Sequence, residues 1–234
     1  VNPDAFVAED WLRQLLDAAN SMPGVSAFSA ELVDANNHEL LDGQGDCYHV
    51  SGLMWRRRHA QKAGSVISRH PFFAPCAASA LYLREAVIDV GGFDEDYFCY
   101  IEDVDLGFRL RLAGYQCAHI HAALTYHVGS GITQRESDFS IYHGHRNLVW
   151  TWFKNMPRGL RWRYFPQHLL MNLASIAFYT AKGRPGVILR AKWHALRGLP
   201  GMLRKRSTLK LDPHVDIRDA LTQGWLTPYL HRHD

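Results

Sequence analysis

With 234 residues, 47% hydrophobic and 12% aromatic, the chain is long enough for one large domain or a domain with an appendage, and apolar enough to build a core. Its four cysteines lie far apart with no CxxC pair, which argues against a zinc site or a disulfide framework and for reduced thiols in a cytosolic protein. The net charge of +3 hides an asymmetry: residues 139–211 hold fourteen Lys or Arg and no acid, leaving twelve basic residues and all twenty-three acids elsewhere. A back part this basic points to an anionic environment, and no nucleic-acid-binding motif accompanies it.

In chain order, Asn2-Pro3-Asp4 has the composition of a turn, with Asp4 also suited to cap the helix that follows. Residues 8–20 predict that helix, with Trp11, Leu15 and Ala18 or Ala19 on one side. Residues 25–33 predict a strand, 34–37 a turn, and 40–64 an irregular, Gly-containing stretch. Within it, Arg56-Arg57-Arg58 reads equally as a solvated face or an anion contact. Residues 80–83 predict a core strand and 84–90 a short helix. Residues 116–128 predict a strand on which His119 and His121 are exposed and carry no role, followed by a Gly-rich run from His127 to Gly131. Residues 139–155 predict a helix. Residues 164–181 hold no charged residue between flanking Arg161, Arg163, Lys182 and Arg184; Pro166, Gln167, His168 and Asn172 favour an interfacial over a spanning helix. A basic amphipathic segment, 187–206, is expected to break at Gly198–Gly201, and 208–234 reads as a polar tail.

The most informative stretch is Gly91–Tyr115, GGFDEDYFCYIEDVDLGFRLRLAGY. Leu106, Leu110 and Ala113 are spaced to face a core from a short helix that stops at Gly114, and Glu102, Asp103 and Asp105 fall in its first turn. Carboxylates there are stabilised by the helix dipole and the free N–H groups. An ionised Asp pointing out of a scaffold suits a general base, although the same acids suit a helix start that serves only the dipole.

The order aromatic-acid, Glu102-Asp103-x-Asp105-Leu106, Arg109, Gly114-Tyr115 resembles the second signature of inverting glycosyltransferases of family 2, the rhamnosyltransferase-like branch in particular. The resemblance implies a partial GT-A α/β fold with a carboxy-terminal helical, basic amphipathic extension. By resemblance Asp103 deprotonates the acceptor hydroxyl and Glu102 shapes the acceptor side. Asn2-Pro3-Asp4 matches that family's acidic motif, with Asn2 in place of its first Asp, so Asp4 inherits a divalent metal, Mg²⁺ or Mn²⁺, and His127 completes the site. Ala77 and Ala78 match a small-residue segment beside the sugar donor. Arg146, in Tyr142-x-x-x-Arg146-Asn147, matches an element facing the donor diphosphate or acceptor.

These assignments imply an enzyme that moves a hexose, such as rhamnose, from a nucleotide-diphosphate donor to a polysaccharide or lipid-linked glycan. Residues 1–138 would form the acceptor and metal-binding part, 139–206 a region meeting an anionic membrane surface, and 207–234 a tail, with the protein peripheral on the inner face of the cell membrane. The chain opens in mid-motif, so it reads as the portion following the nucleotide-binding half. Two rival readings stay open: an inactive remnant or membrane-associated scaffold, and a metal-dependent diphosphate hydrolase.

Overall fold

A computed structural model describes residues 1–64, 71–129, 137–225 and 227. Positions 130 and 131, in the Gly-rich run expected after His127, and most of the tail beyond 225 lie outside the described residues.

The centre is β2 (Val25–Asp34), buried along nearly its whole length. β7 (Gln116–His127) pairs parallel to it on one side; on the other side β6 (Ala80–Tyr82) and β3 (Asn37–Gly43) run antiparallel. β1 (Ala5–Val7) adds antiparallel to the outside of β7, with Ala5 opposite His127, and completes a five-stranded mixed sheet. Alternate residues of β2 point to opposite faces, so each face takes its own helix. Phe28 and Ala30 pack with Leu15 of α1 (Trp11–Ser21), whereas Ala27 packs with Leu106 and Leu110 of α3 (Glu102–Leu112) and with Ala86 of α2 (Arg84–Asp89). The apolar spacing read from the sequence therefore produces the helices it predicts. The expected mixed α/β architecture is present.

Three expectations are corrected. The stretch 40–64 is not irregular throughout: it holds most of β3 and the hairpin of β4 (Asp46–Tyr48) with β5 (Met54–Arg56). Strands of three residues are too short to show alternation, and glycine hides them further. Gly45 is needed here, since it sits at φ +76° and a Cβ on it would lie 2.3 Å from the Phe72 ring. The second correction concerns the basic carboxy-terminal helix, α6 (Pro185–Arg206), which runs on through Gly198–Gly201. A Cβ at Gly198 would meet the Trp150 indole at 2.4 Å, so the glycine permits close packing, and that tertiary contact outweighs its poor helix propensity. Third, part of the expected polar tail folds back. Ile217 and Leu221 are buried, and Thr222 exchanges backbone hydrogen bonds with Tyr48 and Val50 at 2.9 and 3.0 Å.

α4 (Asp138–Asn155) packs along α6, and α5 (Arg158–Ala181) lies beside α6. The largest apolar cluster joins Tyr48 and Phe73 to Phe108 of α3, Trp152 and Met156 at the end of α4, and Met202 of α6. Among the described residues, no helix is long and apolar enough to cross a membrane.

Candidate active site

α3 carries two kinds of acid in its first turn. Asp105 is fully buried, contrary to the outward position expected for this group of acids. Its Oδ2 accepts from Arg109 Nε and Lys154 Nζ, each at 2.9 Å, and its Oδ1 accepts from Asn155 at 2.8 Å and the Tyr97 hydroxyl at 3.0 Å. Asp105 thus ties α3 to α4, and Arg109 and Lys154 are its counter-ions. Asp103, by contrast, faces a cavity of about 640 Å³. Its Oδ2 accepts the Ala77 N–H at 3.0 Å and its Oδ1 the Val104 N–H at 2.8 Å, so among the described residues the carboxylate is held without a cation in contact.

The loop before α3 aims this turn. Phe98, Tyr100 and Ile101 all adopt positive φ, between 62° and 71°, a conformation that costs non-glycine residues energy. Asn147, buried on α4, holds the loop: its Nδ2 lies 2.7–3.0 Å from the carbonyls of Tyr97, Cys99 and Tyr100. Arg146 donates to the Tyr97 carbonyl at 2.9 Å and stacks over Trp150. Arg146 therefore does not line the cavity; with Asn147 it fastens the loop that presents Asp103.

In the same cavity, the β1–β7 register places Asp4 beside His127. His127 Nδ1 donates to Asp42 Oδ2 at 2.7 Å, which turns Nε2 to within 3.5 Å of Asp4 Oδ1. Burial alone would push the Asp42 carboxyl up, but the hydrogen bond from His127 and the charge of Arg56 outweigh it and hold the group well below the usual range. A carboxylate and an imidazole nitrogen at this separation, with the second nitrogen fixed by a carboxylate, fit two ligands of one divalent ion.

The cavity is also lined by Asp42 and Asp46, which sequence reasoning missed, and by Arg56, from the run read equally as a solvated face or an anion contact. Arg56 donates to Asp42 at 2.6 Å and to Cys76 Sγ at 2.9 Å, and Asp46 lies 3.9 Å from it. The arginine run is thus split, with Arg56 lining the cavity and Arg58 buried against Gln61. Burial pushes the Asp46 carboxyl up to about 8, with the nearby charge of Asp103 adding to the shift. Glu102 is raised to about 7 for the same two reasons. The structure gathers Asp4, Ala77, Ala78, Glu102, Asp103 and His127 around this one cavity.

His119, expected to be exposed, is largely buried 3.6 Å from Glu31, and burial pushes its imidazole down to about 4. His121 is exposed and pairs with the same Glu31.

The family model for Glycosyl transferase family group 2 matches residues 3–196, and the chain belongs to that family. The expected fold class, a partial GT-A α/β arrangement with a carboxy-terminal helical extension, follows from this membership and the mixed sheet together. Two similar proteins are N-acetylglucosaminyl-diphospho-decaprenol L-rhamnosyltransferases of Mycobacterium tuberculosis, from strains CDC 1551 / Oshkosh and ATCC 25618 / H37Rv. Each is 30% identical over 155 residues, covering 61% of this chain and 50% of the relative, so the chain spans about half the length of the curated relatives it matches.

Proposed function

We propose that the protein containing this chain is an inverting glycosyltransferase that moves a hexose from a nucleotide-diphosphate donor to a lipid-linked or polysaccharide acceptor. The observation that carries the reading is the shared cavity: Asp103 and the Asp4–His127 pair all line it. Family membership supports the transferase class, and the rhamnosyltransferase relatives support a deoxyhexose donor and a diphospholipid acceptor.

In this reading Asp103 takes the acceptor hydroxyl proton as the oxygen attacks the anomeric carbon. The bond from that carbon to the diphosphate breaks on the opposite face, and its electron pair stays on the departing oxygen. Inversion in one displacement needs a single base, unlike the two carboxylates of a retaining glycosidase. Asp4 and His127 would hold a divalent cation, which neutralises charge on the diphosphate. Glu102, on the same turn as Asp103, borders the acceptor side.

The same reading puts the protein on the cytoplasmic face of a membrane. Trp162, Phe165, Leu169 and Leu173 of α5 and Trp193 and Leu196 of α6 are exposed, among exposed Arg158, Arg163, Arg190 and Arg197. Exposed apolar side chains among cations suit an anionic headgroup layer.

The test is incubation of the intact protein with UDP-, GDP- and dTDP-hexoses, with and without a polyprenyl-diphosphate sugar acceptor. Glycosylated acceptor of inverted anomeric configuration is expected. Release of free sugar phosphate at the same rate without acceptor would favour the hydrolase instead, and no turnover by the intact protein would favour an inactive remnant.

A further inference from the structure

Asp46 is the least satisfied acid in the site. It is 1% exposed and lines the cavity, yet among the described residues neither carboxyl oxygen has a hydrogen-bond partner, its nearest cation being Arg56 at 3.9 Å. Burying a carboxyl without hydrogen bonds is costly, so folding alone gives little reason for an acid at this position. Its place is informative. Hydrogen bonds link Asp4's neighbour His127 to Asp42 and Asp42 to Arg56; Arg56 lies 3.9 Å from Asp46, and Asp46, Cys76 and Asp103 bring one donor atom each within 4.8 Å of one another. Asp46 is thus connected through Arg56 and Asp42 to the pair assigned to the diphosphate, and lies directly beside the carboxylate assigned to the acceptor proton. In a single displacement the sugar ring being transferred must lie between those two points.

We propose that Asp46 contacts the transferred sugar, its two unpartnered oxygens hydrogen-bonding to ring hydroxyl groups of the donor. The proposal rests on the transferase reading above. Hydroxyl groups fit the place better than a metal ion does, because the Arg56 guanidinium already supplies positive charge there, 2.9 Å from Cys76 Sγ. The raised Asp46 carboxyl agrees: a protonated acid donates one hydrogen bond and accepts others, which matches a hydroxyl pair. The occupant is thus the hexose portion of a nucleotide sugar, and Asp46 is a residue that selects its hydroxyl pattern.

The experiment measures binding by the intact protein of UDP-, GDP- and dTDP-hexoses against the matching bare nucleoside diphosphates, for wild type, Asp46→Ala and Asp46→Asn. In the wild type the sugar is expected to tighten binding; in Asp46→Ala that gain shrinks roughly 10–100-fold while diphosphate affinity stays, as loss of hydrogen bonds to a charged or acidic group implies. Asp46→Asn, which keeps a donor and an acceptor, retains part of the gain. Donor analogues lacking one hydroxyl should show no further loss in Asp46→Ala at the position Asp46 contacts. Thermal midpoints of both variants are expected at or above the wild type, because an unsatisfied buried acid has been removed.

A sugar gain unchanged in Asp46→Ala overturns the proposal, as does wild-type protein that binds no hexose conjugate better than its bare diphosphate. Equal loss of sugar and diphosphate binding with a lowered midpoint assigns Asp46 to the scaffold and overturns it too. Cation binding lost in both variants would make Asp46 a metal ligand and overturn the sugar contact in the same way. Should Asp46→Ala lose the sugar gain while the wild type transfers no sugar to any acceptor, the Asp46 contact stands and the transferase reading fails.

Discussion

Ala77 gives its backbone N–H to Asp103 Oδ2 at 3.0 Å, joining the segment before β6 to the first turn of α3. The contact fixes one carboxylate oxygen from outside the helix. Asp103→Asn keeps an oxygen able to accept that bond but cannot take a proton. Acceptor glycosylation is therefore expected to fall about 10²–10⁴-fold with donor binding preserved. Retention of more than about a tenth of wild-type turnover would remove Asp103 from the base role.

Asp4→Ala and His127→Ala should each raise the divalent-cation concentration needed for half-maximal activity. Their combined effect should be less than additive, because both act through one ion. Asp42→Asn, which weakens the hydrogen bond orienting His127, should lower metal affinity by about 10–100-fold. Activity of the intact protein that survives EDTA unchanged would contradict all three.

Asn147→Leu tests whether the positive-φ loop is held from α4. Strain of about 1–3 kcal/mol per unfavourable residue is held in check by surrounding contacts, and three carbonyls lose the Asn147 amide in the variant, that of Tyr97 keeping Arg146. A loss of kcat at nearly unchanged donor KM is expected, with a lowered denaturation midpoint. Normal kcat in a destabilised variant would show that the loop needs no such fastening.

Lys192, buried between α4 and α5, donates to Asn172 Oδ1 at 2.7 Å and has no acid against it among the described residues; burial pushes it down to about 7. The unfolded chain binds this proton up to its ordinary value of 10.5, so stability is expected to increase as pH rises from about 7 to 10. Lys192→Met should flatten that rise and raise the thermal midpoint at pH 7. The neighbouring His145 and His168, pushed down by burial to about 3 and 4, stay neutral across the window. An unchanged slope between pH 7 and 9 would sink the assignment.

Flotation with liposomes tests the α5–α6 face. Binding to anionic vesicles should exceed binding to neutral ones and weaken with salt, since exposed charges are screened within about 8–10 Å at physiological ionic strength. Trp162→Ala with Trp193→Ala should weaken what salt leaves. Equal binding to both lipids at high salt would contradict a charge-led attachment, and absence of binding would leave the basic surface for another partner.

The elements long enough to repeat were the legible ones. Leu106 and Leu110 announced α3 by spacing, and both strands that meet at the centre, β2 and β7, came within a residue or two of their bounds. The β4–β5 hairpin and the folded-back Ile217–Thr222 segment offered no period to read, because each is a few residues pinned by distant partners. The site divides likewise. Asp103, Asp4 and His127 stood in recognisable patterns and Arg56 in a run with two open readings, whereas Asp42 and Asp46 acquire meaning only once the hairpin folds against the strand ends. Arg146 was visible as part of a pattern, but its partner, a backbone carbonyl, leaves no trace in side-chain chemistry.

The pairing of β7 with β2 has one loose place and one tight one. Ala30 faces Ile120 and the next residue, Glu31, faces Leu124, so His121–Ala123 bulge out of the ladder before the register resumes as far as His127. Extra length in β7 can be absorbed at that bulge. Beyond it, from Leu124 onward, β7 is clasped by β1 as well as β2, and a single inserted residue there would swing the imidazole of His127 to the opposite face of the sheet. Lineages of this chain should therefore vary freely in length at the bulge and hardly at all in the few residues that follow it.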